Sequence, residues 1–361
     1  MKRIVICSDG TWNIRDQVDK VSGKRRPTNV TKLARGVLAR DPHGVDQVVA
    51  YFDGVGTDGG LDRFTGGAFG RGMEDNVRAI YRFLIYNYVE GDEIYLFGFS
   101  RGAFTVRTLV GFMHKVGLVR KGEDYFVPEL YALYESRQGQ HSDAWAQAFR
   151  KISQPRPAPP VTLLGVWDTV GALGAPGLLG HLFNGRKYEY HDVGLHPEVL
   201  NACHAMALDE RRKPFKVNLF HRPPGWTGAL EQAWFAGVHS DVGGSYRPDG
   251  LANEALHWMV EHAERLGLAF DRDYLAFFEP CFNSTLHDSS SWFYKLIGEV
   301  VRPVGRHRDH GECLHRSVLD RIAHAPCAYA PPNVASLKSA SALPVVDTAR
   351  IPRGTPCEAT D

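Results

Sequence analysis

The sequence predicts an α/β fold in which helices cover both faces of a mostly parallel central sheet. Short strand-like runs are apolar almost without interruption, which is typical of strands buried on both faces. Segments of helical length and periodicity separate these runs. Strands that alternate with helices in this way favour a parallel sheet over an antiparallel one.

Five apolar runs are the predicted strands, and each ends in small or polar residues. In chain order they are RIVICSDGT at the start of the chain, QVVAYFDGVGT at 47–57, EIYLFGFS at 93–100, VTLLGVWDTVG at 161–171 and QAWFAGVHSDVGG at 232–244. Their β-branched and aromatic content supports the strand prediction. The polar ends of these runs supply most of the candidate functional residues considered below.

Three intervening segments, 73–89, 103–117 and 252–267, repeat their apolar residues at helical spacing, and the last ends at a glycine, a common helix stop. Residues 120–160 interrupt the alternation with a helical stretch and the stiff connector SQPRPAPP, which predicts a small helical insertion. From about residue 331 the chain becomes rich in Ala, Ser, Pro and Thr. We therefore expect one domain over 1–330 and a loosely structured tail over 331–361.

Composition excludes several classes of protein. The formal net charge of +1 gives no electrostatic reason to expect a nucleic-acid partner. Apolar stretches fall short of the roughly 18–20 residues that span a bilayer, and the apolar part of MKRIVICSDG is too short for a signal peptide. The sequence therefore predicts a cytoplasmic protein, although export by a route without a cleavable signal would leave no mark. Six scattered cysteines favour free thiols over a disulfide framework or a zinc site.

The stretch GFSRG places Ser100 between a predicted strand and a predicted helix. A pentapeptide G-x-S-x-G arises readily by chance in a chain with 37 glycines. In a sharp strand-to-helix turn, however, the serine side chain is lifted off the sheet edge, and the glycines give the space that such a turn needs. The placement of the motif therefore predicts that Ser100 is a nucleophile.

A serine hydroxyl needs a base, usually histidine, that a carboxylate orients. When a nucleophilic serine stands in this kind of turn, the acid and then the base follow it in the sequence. Asp168 comes directly after the predicted strand LLGVW, at the position expected for the acid. A loop carboxylate at a strand end is also a common turn or helix cap, and the serine upstream favours the catalytic reading.

Sixteen histidines compete for the role of the base. His239 is favoured because it follows the last strong strand inside a glycine-rich loop. His287 is the alternative base, and His221 and His204 are weaker candidates. Asp241, two residues after His239, is a candidate supporting residue that could cap a turn, hold the loop or compete as the orienting acid.

Backbone N–H groups are the predicted oxyanion donors. The N–H of Arg101 opens the helix after the serine, where the helix dipole favours negative charge. A second donor usually comes from a loop after an early strand, and the loop CSDGTWN offers Gly10 and Thr11. Asp9 is a candidate for fixing that loop, although an Asp-Gly pair is also a common plain turn.

Other readings of the same residues remain open. The run ALDERRKPF is typical of solvated helix surface, but Arg211 or Arg212 could bind an anionic head group or pair with Asp241. Metal-assisted hydrolysis is a weaker hypothesis, because no H-E-x-x-H or similarly tight ligand spacing is present. A non-catalytic binding or scaffold module on the same fold is the main alternative to an enzyme.

Seven blocks of the sequence together resemble a family of bacterial and fungal α/β-hydrolase-like proteins that includes the catalytic domain of type VI secretion phospholipase effectors. The blocks are SDGTWN (8–13), YFDGVGT (51–57), GFSRGAFTVRTLVGFMHKVGL (98–118), GVWDTVGALG (165–174), HAMALDERRKPF (204–215), AWFAGVHSDVGGSY (233–246) and LHRSVLDRI (314–322). They occur in order over residues 2–325, which is far more specific than one pentapeptide.

The resemblance implies an α/β-hydrolase-like fold with a catalytic domain over 1–330. Carried over by position, it implies Ser100 as nucleophile, Asp168 as acid and His239 as base. The implied substrates are small-molecule or lipid esters, including phospholipids, and an amide or thioester would use the same residues. No cofactor or metal is expected. Peripheral contact with a membrane and the oligomeric state are left open by the sequence.

Overall fold

A single eight-stranded sheet, parallel throughout, organises the part of the chain that the structure describes. This computed structural model describes residues 1–10, 13–14, 16, 18, 23–54, 66–136, 147–149, 151, 155–170, 194–289, 298–335 and 343–349. The strands are β1 (Arg3–Ser8), β2 (Gln47–Phe52), β3 (Glu93–Phe99), β4 (Val161–Trp167), β5 (Asn201–Ala207), β6 (Ala229–Phe235), β7 (Glu312–His315) and β8 (Val345–Val346).

The strands lie in the order β2-β1-β3-β4-β5-β6-β7-β8. The chain therefore adds β2 on one side of β1 and then crosses to the other side to add β3. In an open parallel sheet, the point where the direction of winding reverses leaves a crevice at the carboxyl ends of the strands. Ser8 of β1 pairs with Gly98 of β3 at that point, so the loops after both strands open into the crevice.

Nine α-helices cover the sheet in the described ranges. They are α1 (Asn29–Gly36), α2 (Gly66–Asn87), α3 (Arg101–Val116), α4 (Val127–Glu135), α5 (His239–Gly243), α6 (Gly250–Arg265), α7 (Arg272–Ala276), α8 (Arg316–Ala323) and α9 (Pro332–Ala335). Short 3-10 helices at Lys121–Phe126, Lys213–Phe215, Arg308–His310 and Ala325–Cys327 complete the helical segments.

Alternate residues of the central strands enter two different cores, because successive side chains of a strand point to opposite faces. Ile4 and Leu96 pack with α2, α3 and α4 on one face. Val5 and Phe97 pack with α1, α6 and α7 on the other. Burial on both faces explains why these strands are apolar without alternation, and each fully buried side chain of this size stabilises the fold by about 1.5–3 kcal/mol.

The predicted fold class is confirmed, and each of the five predicted strands is present. Three further strands, β5, β7 and β8, were not predicted. The sequence of β5, NACHAMA, consists mostly of small residues, and β7 and β8 are only four and two residues long. Such segments lack the long runs of β-branched and aromatic residues by which strands are recognised, and neighbouring strands hold them in place.

The predicted insertion contributes α4, whose Val127 and Leu130 belong to the main core beside α3. The region predicted as a tail contributes α9 and the edge strand β8. The division into a domain and a tail stays a prediction. The expectation of free thiols is wrong for Cys281, which is disulfide-bonded, and Cys7, Cys203, Cys313 and Cys327 are free. Among the described helices, none combines the length and the apolar character needed to cross a membrane.

Candidate active site

Ser100 stands in the sharp turn between β3 and α3. Its backbone has φ 56° and ψ −117°, a conformation that a residue with a Cβ rarely adopts. Surrounding structure holds the turn, because the Ser100 N–H donates to the Trp167 carbonyl at 3.0 Å and the Ser100 carbonyl accepts from the Phe104 N–H at 3.2 Å. The side chain is consequently raised above the sheet edge into the crevice.

Both glycines of GFSRG are required by close backbone approach. A Cβ on Gly98 would lie 2.6 Å from the Ala103 backbone, and a Cβ on Gly102 would lie 2.1 Å from the Ser8 carbonyl oxygen. Real Cβ atoms do not come this close to backbone atoms. The motif therefore reflects the packing of α3 against β1 and β3, which is the physical reason for glycine at these positions.

His239 is the histidine that contacts Ser100. It begins α5, directly beyond the carboxyl end of β6. The Ser100 hydroxyl is placed to donate to His239 Nε2 at 2.8 Å. The ring lies between two aromatic side chains, with centroids 4.6 Å from Phe99 and 5.0 Å from Phe215, which restrict its orientation.

Asp168 lies at the other nitrogen of the same ring. His239 Nδ1–H donates to Asp168 Oδ2 at 2.6 Å, which fixes the tautomer that leaves Nε2 as an acceptor. The Ala207 N–H at the end of β5 donates to Asp168 Oδ1 at 2.9 Å. Asp168 is fully buried, so every one of these contacts acts in a water-poor environment where electrostatic interactions are strong.

The structure adds a buried ion pair that the sequence did not predict. Arg302 donates through both terminal nitrogens to Asp168, at 2.6 Å and 3.0 Å, and also to the carbonyls of Ala207 and Phe215. Burial alone would raise the pKa of Asp168, but the Arg302 guanidinium and the His239 hydrogen bond outweigh it and hold that pKa well below its usual range. Asp168 is therefore an anion throughout the physiological pH range.

The electrostatic setting of His239 follows from burial and from its neighbours. Burial lowers the pKa of His239, and this effect outweighs the hydrogen bond to Asp168, which raises it. Because Arg302 offsets the charge of Asp168, the carboxylate orients the imidazole without strongly favouring its protonation. The ring is therefore neutral at physiological pH and can accept a proton at Nε2.

His287, the alternative base, contacts other groups. Its Nδ1–H donates to Asp241 Oδ1 at 2.6 Å, and its Nε2–H donates to the Arg247 carbonyl at 3.0 Å. A ring that donates from both nitrogens is an imidazolium, and the hydrogen bond to Asp241 raises the pKa of His287. Asp241 also accepts from the Val238 N–H at 3.1 Å, so it caps the turn that carries His239 and does not contact that ring as an acid.

The loop after β1 approaches the serine, and the N–H of Gly10 in this loop already has a hydrogen-bond partner. Asp9 is buried and accepts from Thr28 and Tyr51, each at 2.5 Å. It also accepts from the Gly10 N–H at 2.7 Å, so this predicted oxyanion donor is engaged by the Asp9 carboxylate. A Cβ on Gly10 would lie 3.3 Å from the Cβ of Ser100, so the loop packs directly against this serine. Thr11 lies outside the described residues.

Glu210 is a second buried acid beside the histidine. It accepts from the His239 N–H at 3.2 Å and pairs with Arg212 through two hydrogen bonds of 2.9 Å and 2.8 Å. The expectation that ALDERRKPF is solvated helix surface is therefore wrong at Glu210, which is 1% exposed. Arg212 pairs with this carboxylate and not with Asp241. The only signal in the sequence was the order of charges, which does not reveal burial.

A cavity of about 770 Å³ opens beside the segment that carries His239. Its lining is mostly polar and charged, with three acids and one arginine. The lining residues are Asp209, Arg211, Val238, Leu286, His287, Asp288, Ser289 and Glu299. Val238 immediately precedes His239, so the cavity lies beside the segment that carries the imidazole. The lining suits a polar group better than a hydrocarbon chain.

The parallel sheet and the serine at its switch point define an α/β-hydrolase-like domain. The chain belongs more specifically to the family described as the type VI secretion system phospholipase effector Tle1-like catalytic domain, whose sequence profile matches residues 2–262. This membership confirms the resemblance seen in the sequence. It assigns the chain to a family of phospholipase-like hydrolases.

Three individual proteins are similar to parts of this chain. An uncharacterised protein of Saccharomyces cerevisiae, YEL023C, is 28% identical over 244 residues, which are 62% of this chain and 33% of the yeast protein. The Tle1 effector bound to the VgrG spike of the type VI secretion system is 22% identical over 68% of this chain and 51% of its own, with a TM-score of 0.37. An uncharacterised protein from Pseudomonas aeruginosa is 16% identical over 78% and 49%, with a TM-score of 0.42. The chain thus spans a third to a half of these relatives.

Proposed function

We propose that the chain is a serine hydrolase that cleaves carboxylic esters, including phospholipid esters, through Ser100, His239 and Asp168. The observation that carries the proposal is the continuous relay from the Ser100 hydroxyl through both nitrogens of His239 to Asp168, with contacts of 2.8 Å and 2.6 Å. An activated serine needs this sequence of groups, with the tautomer set by the carboxylate. The membership of a phospholipase-like family supports ester chemistry.

The proposed reaction has two acyl-transfer steps. His239 Nε2 takes the Ser100 proton as Oγ attacks the ester carbonyl carbon, and a tetrahedral oxyanion forms. The imidazolium then gives its proton to the leaving alcohol, and the carbon–oxygen bond breaks to leave an acyl-enzyme. Water, deprotonated by His239, attacks the acyl carbon, and Ser100 recovers its proton as the acid is released. Asp168 remains ionised and holds the imidazolium in place.

The Arg101 N–H is the proposed oxyanion donor, because it belongs to the first turn of α3 directly after the nucleophile. N–H groups of a first helical turn point along the helix axis, toward the site where the oxyanion develops. The helix dipole adds positive potential there. With Gly10 engaged by Asp9, we assign the second donor to no particular residue.

We place the polar head group of a lipid substrate in the cavity beside Val238. Arg211 is the cation of that lining and is exposed, so it can meet a phosphate without first losing a buried partner. The acyl chain would then extend along the crevice on the other side of Ser100. Because the family description names effectors of a secretion system, we also propose that the chain acts after export by a route that needs no cleavable signal.

The test is covalent labelling with a fluorophosphonate, followed by mass spectrometry of the intact protein and its peptides. We expect one adduct on the Ser100 peptide of the wild type, and none in Ser100→Ala or His239→Ala. His287→Ala is the matched control, because it removes a histidine of the same region that does not contact the serine, and it should label normally. A folded wild-type protein that fails to label would instead favour a binding module on this fold.

The substrate class is tested next, by assaying the unlabelled protein with two kinds of ester. We expect hydrolysis of p-nitrophenyl esters and of vesicles of phosphatidylethanolamine, with fatty acid and lysophospholipid as products. Activity on the simple esters alone would retain the serine hydrolase and remove the phospholipid part of the proposal.

A further inference from the structure

His221 meets two histidines that are distant from it in the sequence, His307 and His310, at the end of the sheet opposite the serine. The nitrogen atoms that His221, His307 and His310 can each offer lie within 4.8 Å of one another. His307 and His310 immediately precede β7, whereas His239 follows the carboxyl end of β6. Because β6 and β7 are parallel, the cluster lies at the amino ends of the strands and is separate from the candidate active site.

A buried carboxylate anchors the loop that carries two of these histidines. Glu312, in β7, is 1% exposed. It accepts from the N–H groups of Gly305 and His307, each at 2.7 Å, and from the indole N–H of Trp234 at 2.8 Å. The backbone of the loop is therefore fixed on the sheet, and the His307 side chain starts from a defined position.

The buried amide of Gln232 holds the segment that carries His221 against the turn that carries His310. Gln232, in β6, donates to the His310 carbonyl at 2.7 Å and to the Phe220 carbonyl at 3.0 Å, and it accepts from the Phe220 N–H at 2.8 Å. Phe220 directly precedes His221. One fully buried side chain thus sets the spacing between the segment with His221 and the turn with His310.

The rings of His221 and His307 are available to a ligand, and that of His310 has one backbone contact. Among the described residues, no hydrogen bond engages the ring nitrogens of His221 or His307. His310 Nδ1 accepts from the Arg222 backbone N–H at 3.0 Å, which keeps that nitrogen unprotonated. His221 is exposed and the other two are half-buried, so an ion can reach the cluster from solvent.

We propose that His221, His307 and His310 together bind one Zn²⁺ ion, with water as the fourth ligand. Three imidazoles form a ligand set that zinc prefers, whereas Mg²⁺ and Ca²⁺ require oxygen ligands. Zinc–nitrogen bonds of about 2.0–2.1 Å bring tetrahedral ligand atoms to about 3.4 Å from one another. Binding therefore draws the rings together by about 1 Å, and the exposed His221 can supply most of that movement.

The position of this site gives it a structural consequence for the triad. His221 follows Phe215, whose ring contacts that of His239 at 5.0 Å. His307 follows Arg302, the ion-pair partner of Asp168. An ion bound to both His221 and His307 links the segment that follows Phe215 to the segment that follows Arg302. It would thereby restrain the Phe215–His239 and Arg302–Asp168 contacts. The site takes no part in the reaction, and its occupancy does not depend on the proposed hydrolase activity.

The test is zinc titration of the full chain after removal of metal with a chelator. By calorimetry we expect one ion per chain in the wild type and in Ser100→Ala. The His221→Ala and His307→Ala variants should bind more than about 100-fold more weakly, a larger effect than loss of an outer-shell group causes. His43→Ala is the matched control, since His43 is an exposed histidine outside the cluster. Zinc at ~100 times its Kd should raise the thermal midpoint of the wild type by about 3–6 °C.

Two results would overturn the proposal. One is zinc binding that persists in both His221→Ala and His307→Ala but disappears in His239→Ala, which would assign the ion to the active site. The other is the absence of stoichiometric binding to the wild type. Far-UV circular dichroism of each variant separates loss of a ligand from loss of the fold. Mg²⁺ in place of Zn²⁺ should leave the thermal midpoint unchanged.

Discussion

Two histidine–aspartate pairs of this protein have the same hydrogen-bond distance, but the pKa values of their histidines are shifted in opposite directions. In each, an imidazole Nδ1 lies 2.6 Å from an aspartate oxygen, in His239–Asp168 and in His287–Asp241. The pKa of His239 is lowered and that of His287 is raised. A contact with a carboxylate therefore does not by itself decide whether a histidine is neutral or protonated.

The difference comes from what lies around each pair. Nε2 of His239 accepts from a hydroxyl, whereas Nε2 of His287 donates to a backbone carbonyl. The ring of His239 is deeply buried and its aspartate is neutralised by Arg302, while His287 is partly open to the cavity. The group at the far nitrogen, the depth of burial and the charge behind the aspartate together decide the protonation state.

The largest expected effect comes from replacing the two aspartates in turn. Asp168→Asn should lower kcat/KM for a p-nitrophenyl ester by about 10⁴-fold, because an amide favours the wrong tautomer of His239. Asp241→Asn should change it by less than about tenfold, because that residue caps the turn and does not contact the catalytic ring. Comparable losses in the two variants would show that the pairs act as one unit.

Arg302 is the next target, and Arg321 is its matched control because it is also buried but donates to carbonyls of Phe282 and Ser284. Arg302→Met should destabilise the fold by about 3–5 kcal/mol, because it leaves Asp168 without its buried counter-charge. It should also move the acid limb of kcat/KM to higher pH, because an uncompensated carboxylate favours imidazolium at His239. Urea unfolding and the pH profile measure the two effects separately. If Arg321→Met shifts the acid limb equally, the cause is general destabilisation.

The pH dependence of activity separates the two histidines directly. His239 must be neutral to act as a base, so kcat/KM falls as the pH falls through its lowered pKa. The acid midpoint should therefore lie below the ordinary value of about 6.5. His287→Gln should leave that midpoint unchanged, and a midpoint above 6.5 in the wild type would contradict the argument.

Stability should respond to His287 in the opposite direction. Its pKa is raised in the folded state, so its contribution is fully present below the unfolded pKa and is lost as the pH rises through the folded pKa. The difference in unfolding free energy between the wild type and His287→Gln should thus decrease from acid to neutral pH. A difference that grows over this range would exclude an imidazolium paired with Asp241.

The smallest expected effect comes from Arg211, which lines the cavity beside Val238 and His287. Arg211→Ala should raise KM for phosphatidylethanolamine by about three- to tenfold, since a single exposed charge-assisted contact contributes about 1 kcal/mol. It should leave kcat/KM for a p-nitrophenyl ester unchanged. Lys213→Ala, which removes an exposed cation outside the lining, is the matched control. Equal effects on both substrates would exclude a head-group contact.

Some of this site could be predicted from the sequence and some could not, for physical reasons. The proximity of Ser100, Asp168 and His239 could be predicted. Parallel strands bring their carboxyl ends to one edge of the sheet, and each of these residues lies just past a recognisable strand. Arg302 lies 134 residues from Asp168 in a stretch without a motif, so nothing local signals the ion pair. The same holds for His221, which meets His307 and His310 only because β6 and β7 are neighbours.

The hydrogen bond that engages the Gly10 N–H could not be predicted from the sequence for a different reason. An Asp-Gly pair places a side-chain acceptor next to the glycine N–H, and the sequence does not say whether that acceptor turns inward. In the fold it does, because Asp9 is held by hydroxyl groups of α1 and β2. The strand β5 was missed because small residues such as those of NACHAMA carry little strand signal, although they allow close packing beneath α6.

The conformation of Ser100 bears on how this sequence can change over generations. At φ 56° a glycine would adopt the turn without strain, so Ser100→Gly should raise the unfolding free energy by about 1 kcal/mol while abolishing the reaction. Stability alone would favour that change. A descendant of this chain that made no use of the hydroxyl would gain stability from glycine here, whereas one that relied on the proposed reaction would not tolerate it.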